Sequence, residues 1–467
     1  MSVDKKRIDR RKFFKLAGGG TAITAAALAG CSIERENTRG GIANKEIPKD
    51  KMTYRTNPKT DEKISLLGYG MMRLPMKKVK TEKGEEDIID QEAVNELVDY
   101  AIEHGVNYFD TAPVYCQGKS ELATGIALSR HPREKYFIAT KLSNFDPRTH
   151  SREASLRMYE KSFEELKVDY IDYMLLHAIG GGGMKTLNDR YIDNGVLDFL
   201  IEERKKGKIR NLGFSYHGDI AVYDYLLSRH DEIKWDFVQI QMNYLDWEHA
   251  KQINKSNTNA KYLYAELEKR GIPVVIMEPL LGGRLANINF RAMSLIRQVD
   301  TENSIASWAF RYAGTPEKIL TVLSGMTYME HLQDNILTYS PLKPINEREN
   351  ILLEGVAKSI LEFKNISCTQ CQYCMPCPYG IDIPSIFSHY NKCVNEGNFT
   401  DNEQGDINFR RARQTFLVGY DRSVPKLRQA NHCIGCNQCV HHCPQGIDIP
   451  AELHSIDRYV EDLKQKA

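Results

Sequence analysis

At 467 residues, 42% of them hydrophobic, the chain is too long for one ordinary domain and long enough to bury at least one large core. Its 63 basic and 62 acidic residues leave a formal charge of +1, which speaks against nucleic acid as the main partner and favours a small molecule. The 11 cysteines are not dispersed like disulfide staples, because most of them fall in two tight groups near the C-terminus.

The first segment, residues 1–31, reads as an address. Arg10 and Arg11 precede Lys12-Phe13-Phe14-Lys15, and an uncharged Gly- and Ala-rich stretch then runs from Leu16 to Gly30, too short and too weakly apolar for a comfortable membrane span. This is the pattern of a twin-arginine leader. It closes on Leu28-Ala29-Gly30-Cys31, which resembles a lipobox with Cys31 as the lipidated residue; an N-terminal helix with a buried cysteine is the bland alternative. The expectation is export in the folded state by the twin-arginine machinery to the periplasm or cell envelope, with a lipid anchor at Cys31. Residues 32–60 are polar, carry Gly40-Gly41 and show no apolar period, so they read as a tether.

From 61 to 345 short apolar runs alternate with amphipathic stretches. The runs are Ile64–Leu67, Asn107–Phe109, Phe137–Ala139, Ile171–Leu176, Ile209–Phe214, Phe237–Ile240, Val274–Met277 and Leu320–Leu323, each the length of a buried parallel strand. Between them Val94, Leu97, Val98, Ala101 and Ile102 share one helical face, Ser120–Leu128 is helical, and Leu156, Tyr159, Phe163 and Leu166 mark another helix. Eight strand–helix units in about 280 residues predict an α/β fold of the (β/α)8 TIM-barrel kind rather than an open sheet.

In such a barrel the reactive groups project from the C-terminal strand ends. Asp110 follows the second run, Tyr115 lies on the loop beyond it, Lys141 ends the third run and His177 the fourth. Together they form a coherent acid–base set. A phenol near pKa 10 is a poor donor at neutral pH, an adjacent ammonium lowers that pKa, a carboxylate holds the ammonium charged, and an imidazole can polarise a carbonyl oxygen for hydride attack. Singly, each has a structural alternative: Asp110 as a helix cap, Tyr115 as core, Lys141 as surface, His177 as a satisfied core histidine.

The segments SLLGYGMMRLP, GVNYFDTAPVY, FIATKL and DYIDYMLLH resemble the aldo/keto reductase superfamily, and the likeness continues through KGKIRNLGFSYHG, FVQIQMNY, GIPVVIMEPLLGG and VLSGMTYMEHLQDN. The resemblance implies a nicotinamide cofactor, NADP or NAD, and a carbonyl or alcohol substrate, a sugar among the candidates. It assigns Ser215 and Gln239 to the nicotinamide carboxamide with Tyr244 nearby. Pro279, Leu280, Gly282 and Gly283 match the pyrophosphate loop, where small residues let backbone N–H groups approach oxygen. Ser324, Gly325 and Asn335 match the adenosine end. Two departures stand out: Ser215-Tyr216-His217 replaces a common Ser-Asn, and the basic residue nearest by spacing to a 2′-phosphate is His331.

A charged helical connector, Glu347–Phe363 within 346–365, leads to a second module at 366–467. CTQCQYCMPCPYGIDIP supplies Cys368, Cys371, Cys374 and Cys377, and CIGCNQCVHHCPQGIDIP supplies Cys433, Cys436, Cys439 and Cys443. The second run has the bacterial ferredoxin spacing Cys-x2-Cys-x2-Cys-x3-Cys-Pro and the first has one residue fewer before its last cysteine, so two 4Fe-4S clusters are expected in a mainly helical ferredoxin-like domain, the last cysteine of each repeat completing the other repeat's cluster as in two-cluster ferredoxins. Structural zinc is the alternative. Ile383–Lys392 and Glu403–Phe416 look helical, and Cys116 and Cys393 read as ordinary small residues, Cys116 being the nearer to substrate.

The leading function is therefore an NAD(P)-linked oxidoreductase with clusters for electron transfer, to a membrane partner, or for structure. A catalytically idle barrel serving electron transfer or ligand capture is the second reading.

Overall fold

The eight apolar runs pair edge to edge because each is buried on both faces, the condition under which parallel strands are stable. The computed structural model describes residues 46–82, 84–400 and 408–465. Arg10, Arg11 and Cys31 lie outside the described residues, as do the first residues of the helix expected over 403–416. Among the described residues no helix is long and apolar enough to cross a membrane.

Two hairpin strands, β1 (Tyr54–Thr56) and β2 (Lys63–Ser65), precede the first barrel strand, β3 (Leu67–Gly70). Residues 54–56 are thus structured rather than part of a tether, and the first barrel strand lies three residues later than the Ile64 start read from hydrophobicity. Ile64 instead turns into the barrel interior with Tyr108, Tyr173 and Phe237, and Asn57 donates to the Tyr173 hydroxyl at 2.9 Å, so the hairpin seals the N-terminal end. A second hairpin, β4 (Met76–Thr81) with β5 (Gly84–Ile89), is a charged antiparallel ribbon with no apolar alternation to announce it.

The barrel closes in the order β3, β6 (Tyr108–Asp110), β7 (Phe137–Leu142), β8 (Ile171–Ile179), β9 (Ile209–Tyr216), β10 (Phe237–Gln241), β11 (Val274–Met277) and β12 (Ile319–Ser324), all neighbours parallel. Tyr108, Tyr173 and Phe237 fill its axis with ring centroids about 5 Å apart (5.0 and 5.1 Å), tilted or edge-on, as aromatic quadrupoles prefer. The expected helices appear as Gln91–Glu103, Ser120–Leu128 and Arg152–Leu166.

The connector is a helix over Glu347–Leu361. Its start is set by a capping box, Asn346 accepting from the Glu349 N–H at 3.0 Å and Glu349 accepting from the Asn346 N–H at 3.0 Å, and Arg311 of the barrel holds Glu349 at 2.8 Å. Leu353, Val356, Ala357 and Ile360 bury against Leu281, Leu285 and Trp308, fastening the connector to the barrel. The C-terminal module follows as helices Ile383–Asn395, Phe409–Ser423 and Ile449–Gln465 around Phe387, Phe416, Leu453 and Ile456. The repeated GIDIP has a local cause: Asp382 and Asp448 each accept a backbone N–H of the following first turn, from Ser385 and Ala451, with Pro384 and Pro450 where no donor is needed.

One buried acid behind the catalytic strand gives a pH-dependent stability. Glu121 is 2% exposed and accepts from Thr140 Oγ1 at 2.5 Å; burial raises its pKa to about 7. A raised carboxyl pKa means the folded chain holds the proton more tightly, so this contribution is full below about pH 4.5 and is lost as pH rises through 7. Glu121→Gln is expected to stabilise the fold relative to wild type at pH 8, by up to roughly 3 kcal/mol and with a higher Tm, and to change little at pH 4.5. Equal Tm differences at both values would show that Glu121 is not the titrating group.

Candidate active site

Three neighbouring strand ends bring the acid–base set together. Asp110 is the last residue of β6 and Lys141 the penultimate residue of β7, and both are fully enclosed. Lys141 Nζ donates to Asp110 Oδ1 at 2.5 Å and to the Thr111 carbonyl at 2.8 Å. Burial pushes the Lys141 pKa down and the Asp110 pKa up, and the opposite charge of each partner offsets part of the effect. The ammonium sits 4.8 Å from the centre of the Tyr115 ring, and the His177 ring meets Tyr115 edge-on at 5.9 Å.

His177 is held from behind. Its Nδ1 lies 2.6 Å from Ser143 Oγ, its N–H donates to Tyr191, and its carbonyl accepts from the buried Arg190 at 2.7 Å. Burial first, then the cations Lys141 and Arg190, keep its pKa well below 6.5, so the ring is neutral. His217, the departure noted in the sequence, is close enough for Lys141 and His177 to feel it, and burial lowers its pKa to about 4.

The phenol departs from expectation. Lys141 does not draw the Tyr115 pKa below 10; burial, then Tyr373, Asp110 and Glu278, raise it well above. Tyr373 is the first electrostatic neighbour of the Tyr115 hydroxyl, and Tyr115 is in turn a neighbour of the Tyr373 hydroxyl. Tyr373 comes from the first cysteine motif, between Cys371 and Cys374, so the C-terminal module reaches the catalytic phenol directly.

At the expected dinucleotide positions, Ser215 accepts from the Ala178 N–H at 2.9 Å, while Gln239 donates to Met277 Sδ at 3.4 Å and leaves its Oε1 buried without a hydrogen-bond partner. That free acceptor suits a carboxamide N–H2. Tyr244 packs edge-on against Tyr312 in the layer beneath the connector helix, its hydroxyl unpaired. Ser324 Oγ accepts from Asn335 Nδ2 at 3.0 Å. The loop Pro279–Gly283 turns at Gly282, φ +67, and packs directly on the backbone of Thr369; Gly325 lies under the Arg73 side chain. Arg73 donates to the carbonyls of Thr369 and Gln370. Arg73, Glu278, Arg284 and Tyr373 were not singled out in the sequence. Glu278 is half-buried near Tyr115 and Tyr373, at φ +53, a strained position for a side chain with a Cβ.

The eight clustered cysteines fall into two crossed quartets. Cys443 is an electrostatic neighbour of Cys368, Cys371 and Cys374, whereas Cys377 stands with Cys433, Cys436 and Cys439. The last cysteine of each motif thus joins the other motif, as ferredoxin spacing implies. Among the described residues no group of His, Cys, Asp and Glu converges as a single metal ion would require. Cys393 is core, and the Cys116 thiol lies 3.4 Å from the Met72 carbonyl beside the catalytic loop.

Two family models match the chain: the aldo/keto reductase family over residues 66–349 and a 4Fe-4S dicluster domain over residues 367–447. The chain therefore belongs to the aldo/keto reductase family, as an NAD(P)-dependent oxidoreductase carrying an iron–sulfur module. It is 24% identical to the L-galactose dehydrogenase of Arabidopsis thaliana, a match spanning 68% of this chain and 97% of that protein. Its fold is similar to an aldo-keto reductase from Bacillus halodurans in its holo form, with TM-score 0.51 and 23% identity over 66% of this chain and 97% of that one. An aldo/keto reductase from Klebsiella pneumoniae in complex with NADP and acetate gives TM-score 0.50 at 20% identity, covering 66% and 95%.

The crossed quartets make a pairing prediction. Cys443→Ser should perturb the same paramagnetic signal as Cys371→Ser, and Cys377→Ser the same signal as Cys436→Ser. If each last cysteine instead tracks its own motif, the crossing is wrong.

Proposed function

We propose that the chain interconverts a carbonyl and an alcohol on a hydroxylated, sugar-like substrate, with Tyr115 carrying the proton. The observation that carries this reading is the buried Asp110–Lys141 pair set 4.8 Å from the Tyr115 ring, with neutral His177 against the same ring. A nicotinamide, when bound, supplies or accepts the hydride; Gln239 and Ser215 would hold its carboxamide, and the backbone of Pro279, Leu280, Gly282 and Gly283, with Ser324, Gly325 and Asn335, the rest of the dinucleotide.

In reduction, Tyr115 donates its proton to the substrate oxygen. The phenolate this leaves is stabilised by Lys141, whose own charge Asp110 sustains in a dry site where an ion pair interacts strongly. With the Ser143 hydroxyl donating to Nδ1, the His177 proton rests on Nε2, from where it can donate to the same oxygen. In oxidation the steps reverse and Tyr115 is the base. The name of the plant relative, L-galactose dehydrogenase, supports a sugar as the class of substrate.

The C-terminal quartets are suited to two 4Fe-4S clusters, one on Cys368, Cys371, Cys374 and Cys443, the other on Cys433, Cys436, Cys439 and Cys377. Exposed Cys436 and the neighbouring exposed Ile434 support an electron-transfer partner, at the membrane, on the side of the second. The leader supports export by the twin-arginine route and anchoring at Cys31. Export of a folded protein agrees with clusters assembled before transport.

Two measurements test this reading. Tyr115→Phe should lower kcat for aldose oxidation or reduction by about 10²–10⁴-fold with cluster spectra unchanged; unchanged turnover would remove Tyr115 from the chemistry. Replacing Arg10 and Arg11 by Lys should leave the full chain in the cytoplasm, and undiminished appearance in the envelope would contradict twin-arginine export.

A further inference from the structure

The first cysteine motif does more than carry ligands, for it lies across the mouth of the barrel and touches it at three points. At the first, Gly282 meets backbone: a Cβ placed there would lie 2.2 Å from the Thr369 carbonyl oxygen and 2.5 Å from its Cα, so the two chains are in the closest contact that glycine allows. At the second, Arg73 spans from the end of β3. Its aliphatic part covers Gly325, where a Cβ would lie 3.0 Å from Arg73 Cδ, and its guanidinium holds the carbonyls of Thr369 and Gln370. At the third, Tyr373 lies beside Tyr115, each a neighbour that acts on the other's hydroxyl. The three points are the pyrophosphate loop, the entrance to the adenosine end and the proton-transferring group. They are the places a dinucleotide and a substrate must reach.

A cation lies at the same junction. Arg284, one residue beyond the Gly282-Gly283 turn, is half-buried with its enclosed Nη1 lacking a hydrogen-bond partner, and its electrostatic neighbours are Asp246, Cys368 and Glu278. A guanidinium with an enclosed, unused donor has affinity for an anion. Asp246, Cys368 of the first quartet and Glu278 all surround that cation, which stands one residue beyond the loop assigned to the diphosphate.

We propose that the Cys368–Cys377 segment and the diphosphate of the dinucleotide are alternative occupants of one seat, so that the iron–sulfur module gates the nicotinamide site. The inference rests on the dinucleotide reading above and adds its regulation. Closed, the segment covers Gly282 and ties up Tyr115 through Tyr373; open, it frees both and releases Arg73. Apparent affinity for the dinucleotide is then the intrinsic affinity reduced by the fraction of molecules that are open. Loosening the tether should raise it. The cluster held by this segment should in turn register the dinucleotide, since binding at one site must perturb the other reciprocally.

The test is equilibrium binding of NADPH and of NADH to the anaerobically purified, cluster-loaded full chain, followed by nicotinamide fluorescence with the paramagnetic spectrum recorded on the same samples. Wild type, Arg73→Ala and Tyr373→Phe are compared, the last keeping its bulk should Arg73→Ala fold poorly. The expected result is a Kd at least about tenfold lower in Arg73→Ala, a smaller gain in Tyr373→Phe, and a change in one cluster signal of wild type on adding dinucleotide. Equal affinities in all three proteins with unchanged cluster spectra, or weaker binding in Arg73→Ala, would overturn the gate and leave the dinucleotide reading standing. Failure of every protein to bind either nucleotide would overturn both.

Discussion

The structure depends on an ammonium and a carboxylate buried together at the C-terminal mouth of a barrel. Removing either charge from water alone costs several kcal/mol, and the cost is tolerable only when the partner is in hydrogen-bond contact and further donors and acceptors are supplied. Lys141 meets that condition with Asp110 Oδ1 and the Thr111 carbonyl. Asp110 Oδ2 is left without a partner. The pair can stay charged because β6 and β7 are adjacent and in a fixed parallel register, Asp110 opposite Ala139, and a rigid strand pair does not let the two groups drift apart.

From that pair the remaining features follow. Tyr115 is placed on a tight loop just beyond β6, where Cys116 and Gln117 adopt positive φ and turn the ring back over Lys141. His177 must face the same point from β8 and remain neutral, and Arg190, Ser143 and Tyr191 hold it there while burial keeps its proton affinity low. The site also has to be dry, because in water neither the ion pair nor a hydrogen bond to a developing oxyanion would be worth much. In many enzymes a mobile loop or domain serves that purpose. In this chain a whole second module, clamped to the barrel by the connector helix and by bonds such as Ser367 to Ile253 and Asn395 to Asn287, presses its first cysteine motif over the opening.

How much of this was legible in the sequence differed by physical cause. Barrel strands are buried on both sides, so they stand out as continuous apolar runs, and all eight are present; only the first was misplaced, because Ile64 is as apolar as a strand residue while serving as a plug beneath the barrel. β1 and the charged β4 and β5 ribbon carry no apolar period, so β1 is indistinguishable from the tether in the sequence, while β2 merges with the first apolar run. Asp110, Tyr115, Lys141 and His177 were recognisable because strand ends are where barrel chemistry resides. The crossed cysteine pairing is what the likeness to two-cluster ferredoxins implies. Tyr373, Arg73, Glu278 and Arg284 were silent for a different reason: their roles arise where two modules meet, and neither periodicity nor motif spacing encodes which surface of one domain faces another. A tyrosine inside a cysteine motif was the one signal available, and it gained meaning only with its hydroxyl against Tyr115.

The measurement that bears most directly on the account is the fate of the hydrogen at C4 of the nicotinamide. Full-length, cluster-loaded protein would be given NADPH deuterated on one face of C4 together with an aldose or lactone substrate, and the product analysed by mass spectrometry. The account predicts that one face delivers its deuterium to the product carbon and the other delivers none. Product formed at the same rate without label from either face would mean that the reducing electrons reach the substrate by another route, and the acid–base set would have to be assigned to different chemistry.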